Sequence, residues 1–125
     1  MKLNLAAADI AAAAFIVGAL SLFGAGSSSA TEQQKHVDEA LKHAQTAVNE
    51  GQKGTANVVG QHAQQALEHA KQAEKVKSDP HITEAETHLS QAIDSAATEQ
   101  KDVATKHVQE AIRHLQLAYG GTGGK

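Results

Sequence analysis

The 125-residue chain has no cysteine and no tryptophan, a single proline, and only 2% aromatic residues. Each absence excludes something. Without cysteine there is no disulfide staple, thiolate metal site, thiol nucleophile or cysteine-anchored lipid, so any chemistry rests on nitrogen and oxygen groups. Basic residues are scarce too: 11 Lys and Arg against 14 Asp and Glu leave a formal charge of −3, which gives no basic surface for a nucleic acid. The length fits one small domain plus a segment that is removed or peripheral, too little for a multidomain enzyme. Strand-favouring runs of β-branched and aromatic residues are missing, whereas alanine, the strongest helix former, dominates. An all-α fold is expected.

One long apolar run is present. Ile10 to Ala25 reads IAAAAFIVGALSLFGA without a charge, preceded by a short region carrying Lys2 and followed by the small-residue stretch Gly26 to Ala30. This is the organisation of a secretory signal helix over 1–30, with Ser28 and Ala30 at the −3 and −1 positions of a cleavage site that leaves Thr31 as the new N-terminus. If uncleaved, the stretch is nearly long enough to serve as a membrane anchor, because roughly 20 apolar residues span a bilayer. Either way the remainder lies outside the cytoplasm, periplasmic or secreted, with no membrane contact once the signal is cleaved.

Breakers divide that remainder into four helices. The first runs from Thr31 to Glu50 and ends at Gly51 and Gly54. Asn57 caps a second that continues through Lys77 and stops at Ser78, Asp79 and Pro80; the third spans Pro80 to Ala97. The fourth begins near Asp102, another capping residue, and ends before Gly120 and Gly121, leaving residues 120–125 as a flexible tail. The expected architecture is an antiparallel up-down-up-down four-helix bundle over 31–119, made of two tandem hairpins, 31–77 and 80–119.

What the sequence has in excess is histidine, eight residues in four pairs: His36 and His43, His62 and His69, His81 and His88, His107 and His114, each pair seven residues apart. Aligned on the pairs, the segments HVDEALKHAQTA, HAQQALEHAKQA, HITEAETHLSQA and HVQEAIRHLQLA share one pattern, and one falls on each helix. His36 to His81 and His62 to His107 are both 45 residues, so the hairpin occurs twice. On a heptad with His36 at g, Val37 and Ala44 take a, Ala40 and Ala47 take d, and Leu41 and Val48 take e. This stripe, repeated in every helix and broken at one e position by Glu86, is the expected core. The histidines flank it.

In an antiparallel hairpin g faces g, and the sequence midpoints pair His43 with His62, His36 with His69, His88 with His107 and His81 with His114. Two histidines on one helix are separated by about 10 Å of axial rise, too far to share an ion, so ligands must converge across helices or from carboxylates. Glu39, Glu84 and Glu110 each lie three residues after one histidine and four before the next, within reach of both; helix two has Gln65 there instead. Neutral imidazole with carboxylate suits Cu(II), Ni(II), Zn(II) and Co(II), with Cu(II) bound tightest, and the lack of cysteine and of any Met after Met1 argues against Cu(I).

On HVDEALKHA and VATKHVQEAIRHL, and over His36 to Ala118, the chain resembles the small periplasmic metal-binding proteins. That resemblance implies a secreted four-helix bundle whose histidines bind copper and other divalent metals. The alternative is an envelope structural or interaction module whose histidines respond to pH. No Ser, His and Asp arrangement or phosphate loop is present, so an enzyme is not expected, and a monomer is favoured.

Overall fold

The computed structural model describes residues 29–123, with side chains through residue 120. Four helices follow one another: α1 (Ser29–Lys53), α2 (Ala56–Val76), α3 (Pro80–Ala97) and α4 (Lys101–Gly123). Each packs on its neighbours in the chain, α4 returns to α1, and only α2 and α4 touch across the diagonal. Short loops make consecutive helices antiparallel, and the result is the all-α four-helix bundle. The apolar run read as a signal or anchor lies outside the described residues up to residue 28. Among the described residues no helix is long and apolar enough to cross a membrane.

The heptad stripe is the core. Val37, Ala40, Ala44 and Ala47 of α1 are buried against Ala63, Ala66, Leu67, Ala70 and Ala73 of α2, Ile82, Ala85, Leu89 and Ala92 of α3, and Ala104, Val108, Ala111, Leu115 and Ala118 of α4. Leu41, Val48, Ile93 and Ile112 are half-buried at its margin. Small core side chains favour helix axes toward the near end of the usual range of about 8 to 10 Å. At the heptad e position where the other helices place Leu41, Leu67 and Ile112, α3 has Glu86. Its Oε1 is buried without a hydrogen-bond partner, and burial, then the charge of Glu74, pushes its carboxyl above the ordinary range against the opposing pull of Lys71.

Several helix ends differ from the sequence reading. Helix α1 passes through Gly51 to Lys53, because Gly51 is a contact glycine and not a stop: a Cβ there would run into the Thr105 side chain of α4. Thr55, not Asn57, precedes α2, and it makes no side-chain cap bond; Asn57 is exposed in the first turn. Asp102 lies inside the first turn of α4, where its charge favours the helix N-terminus without capping it. Helix α4 continues past Gly120 and Gly121 to Gly123. No described glycine has a positive φ, so these residues weaken the helix without turning it. Residues 124 and 125 lie outside the described residues. At α3 the signals hold: Asp79 accepts a bond of 2.8 Å from the His81 N–H, and Pro80 occupies the first turn.

The two hairpins meet through a duplicated contact. A Cβ on Gly60 would come within 2.9 Å of the Ala96 Cβ, joining α2 to α3 as Gly51 and Thr105 join α1 to α4. Positions 51 and 96 are 45 residues apart, as are 60 and 105. The same close approach therefore occurs in both halves, each with a glycine on one side. At this end Lys101 Nζ also donates to the Gly54 carbonyl at 3.4 Å. At the other end, buried Gln33 donates to the Lys77 carbonyl, tying the start of α1 to the end of α2.

Candidate metal centre

Position g on an antiparallel pair places a side chain at the edge of the core, and all eight histidines are half-buried there. Across α1 and α2, His36 meets His69 with ring centroids 6.1 Å apart, and His43 meets His62 at 6.2 Å. Across α3 and α4, His81 meets His114 at 5.7 Å and His88 meets His107 at 5.8 Å. The midpoint arithmetic pointed to these four pairs.

The shortest contacts are two others, His43 with His69 at 5.5 Å and His88 with His114 at 5.6 Å. The cause is the direction of the side chain. On a helix every Cα–Cβ bond leans toward the N-terminus. In an antiparallel pair the later histidine of each helix therefore leans toward its counterpart, while the earlier ones lean away. The signal was in the sequence, in the order of the two histidines on each helix, but equal-height pairing ignores it. Each hairpin thus carries a zigzag ladder, His36, His69, His43, His62 in one and His81, His114, His88, His107 in the other.

With a metal–nitrogen bond of about 2 Å, two imidazoles gripping one ion have ring centroids roughly 4.5 to 6.3 Å apart. All six contacts fall in that range. The planes are inclined by 9° at His43 and His69 and by 16° at His88 and His114. These near-parallel rings are stacked, so gripping one ion requires them to turn about the Cβ–Cγ bond, a soft torsion.

A carboxylate joins each inner pair. Ligand atoms of Glu39, His43 and His69 lie within 4.8 Å of one another, and so do those of Glu84, His88 and His114. These are the same three positions 45 residues apart. Glu110 joins neither group; Arg113 of its own helix donates to its two oxygens at 3.1 and 3.2 Å. Gln65 is exposed. The Nδ1 atoms of His69, His88 and His114, three of the four inner rings, are buried without a hydrogen-bond partner; among the outer rings only that of His62 is. A buried polar atom without a partner is costly, and a coordinating lone pair satisfied by a cation removes that cost.

Burial, then the charges of His69 and His62, hold the His43 imidazole below its ordinary range, with Glu39 opposing. Burial lowers His69 as well, against Glu39, and His36 adds to the lowering. Both rings stay neutral, and so able to donate a lone pair, at a lower pH than a free histidine.

The arrangement is a pair of oxygen-and-nitrogen donor sets, each built within one hairpin, on opposite sides of the bundle. No curated protein matches the sequence. The model of one family, described as small metal-binding protein, matches residues 9–118. That span takes in all four helical repeats and both clusters, and the chain belongs to the small metal-binding protein family.

Proposed function

We propose that the protein binds divalent transition-metal ions outside the cytoplasm and buffers or sequesters them, with Cu(II) preferred and Ni(II), Zn(II) and Co(II) as weaker cargo. The observation that carries this reading is the convergence of Glu39, His43 and His69, repeated as Glu84, His88 and His114. Two imidazoles and a carboxylate at a half-buried edge form a donor set for borderline cations, and the order of divalent affinities places Cu(II) first. The remaining histidines, His36, His62, His81 and His107, each stand against one ring of these sets. The extracytoplasmic location rests on the composition of residues 1–30. The role is that of a binding protein rather than an enzyme, in keeping with the family.

Calorimetric titration of the untagged protein with Cu(II) at neutral pH tests the reading. Uptake of at least two ions per chain at micromolar concentration or below is expected. Changing His43, His69, His88 and His114 together to Gln lowers the affinity of those ions at least tenfold, with helicity followed by circular dichroism. A wild-type protein that takes up no Cu(II) at micromolar concentration rules the reading out.

A further inference from the structure

The ladders have a property that a set of separate sites lacks: their central rings are shared. His69 contacts both His36 and His43, and His43 contacts both His69 and His62. In the second hairpin His114 contacts His81 and His88, and His88 contacts His114 and His107. An ion held between the two inner rings therefore uses one ring from each outer pair. Inner and outer positions are mutually exclusive for any ion that needs two imidazoles, and four rings can serve one ion at the centre or two at the ends.

Three observations rank the positions. The inner pair has the shortest ring separation in each ladder. It alone gathers a carboxylate into a three-donor group among the described residues. In the second ladder both orphaned Nδ1 atoms, of His88 and His114, are on the inner pair; in the first, one is inner, on His69, and one outer, on His62. One ion on three donors is bound more tightly than an ion on two, whereas two ions on two rings each engage more imidazoles in total. Low metal favours the first arrangement and high metal the second.

Resting on the metal-binding reading above, we propose that each ladder loads in two registers: a first ion at the inner position, then, as metal rises, a shift to two ions at the outer positions, His36 with His69 and His43 with His62, and correspondingly His81 with His114 and His88 with His107. The first ion keeps His69, releases His43 and Glu39 and takes His36, while the freed His43 joins His62 to receive the second ion. No bond other than metal–ligand bonds is made or broken. The same exchange moves an ion along the ladder without its leaving the protein, which suits a buffer that must both hold metal and release it to an acceptor. Capacity is two ions per chain in the tight register and four in the full one.

Electron paramagnetic resonance of the untagged protein at increasing Cu(II) tests this. The first two equivalents give one signal, with two nitrogens and an oxygen in the coordination plane. Between two and four equivalents that signal declines as a second replaces it, and the ions at the two ends of a ladder, about 10 Å apart by the axial rise, broaden each other's lines. Changing His36, His62, His81 and His107 to Ala leaves the first two equivalents within about threefold of the wild-type affinity and abolishes the third and fourth. Three results overturn the two-register model while leaving metal binding itself intact: a first signal that persists undiminished as the second is added, four ions of equal affinity, or loss of the first two equivalents in the outer-ring variant. Absence of any Cu(II) uptake overturns both.

Discussion

In the first hairpin Lys42 donates to Glu39 at 3.2 Å, so the carboxylate of the inner cluster is already engaged by a cation. Forty-five residues on, the same position is Thr87, whose hydroxyl donates to the Thr83 carbonyl at 3.1 Å, and Glu84 has no ion pair among the described residues. An exposed pair of this kind is worth about 0.2 to 1 kcal/mol, and a metal drawing on that carboxylate competes with it. Lys42→Thr, which makes the first hairpin like the second, is expected to raise the affinity of the first cluster about two- to fivefold, read as closer spacing of the first two binding constants. The lowered His43 and His69 set a second expectation. A group whose folded pKa lies below its unfolded value binds its proton first in the unfolded chain, so metal-free stability falls with acidification once pH drops below the ordinary imidazole value of 6.5. Thermal melts of metal-free protein from pH 7.5 to 5 detect this, and His43→Gln with His69→Gln flattens the slope. At this scale the facing of the histidines was legible, since spacing alone pointed to the four equal-height ring contacts. That Glu110 stands apart was not, because its spacing to its two histidines is the same as that of Glu39 and Glu84; in the structure both its oxygens accept from Arg113.

Helices were legible where the signal is additive over many residues and misread where one residue has two uses. The apolar period fixed all four helices, and Asp79 with Pro80 fixed the start of α3. Glycine commonly ends helices, yet Gly51 continues α1 and admits Thr105 between α1 and α4. The converse occurs after α3. Glu99 has φ 61, its N–H donates to the Ala96 carbonyl at 3.0 Å, and the Gln100 N–H donates to the Ser95 carbonyl at 2.9 Å. This paired closure ordinarily carries glycine at the left-handed residue. The corresponding position in the first hairpin is Gly54, which lacks a positive φ. The two turns thus differ although the helices they join are duplicates, and neither could be read from the other. Glu99→Gly removes the left-handed strain, about 1 to 2 kcal/mol, less the chain entropy that glycine adds when unfolded. A net gain of about 0.5 to 1 kcal/mol is expected in urea denaturation, with metal affinity unchanged because the turn lies beyond the ladder.

For the molecule as a whole, the 45-residue repeat predicted two hairpins, and the duplicated Gly51–Thr105 and Ala96–Gly60 contacts show how the copies join. Each ladder is confined to its own hairpin, leaving the α2–α3 and α1–α4 seams without histidine pairs. The seams are held instead by the alanine-rich core, in which Ala44, Ala63, Ala85 and Ala111, one from each helix, are fully buried. These methyl groups govern the calibre of the rod. Widening it by one bulky side chain, as in Ala44→Leu, costs about 1 to 3 kcal/mol through overpacking. It also forces α1 away from α2 and lengthens the reach from His43 to His69, so Cu(II) retention in that hairpin drops while the far hairpin keeps its own. On the proposed metal-binding reading, alanine in the interior is thus a gauge for coordination: the thinness of the bundle sets how closely imidazoles of neighbouring helices can approach one another.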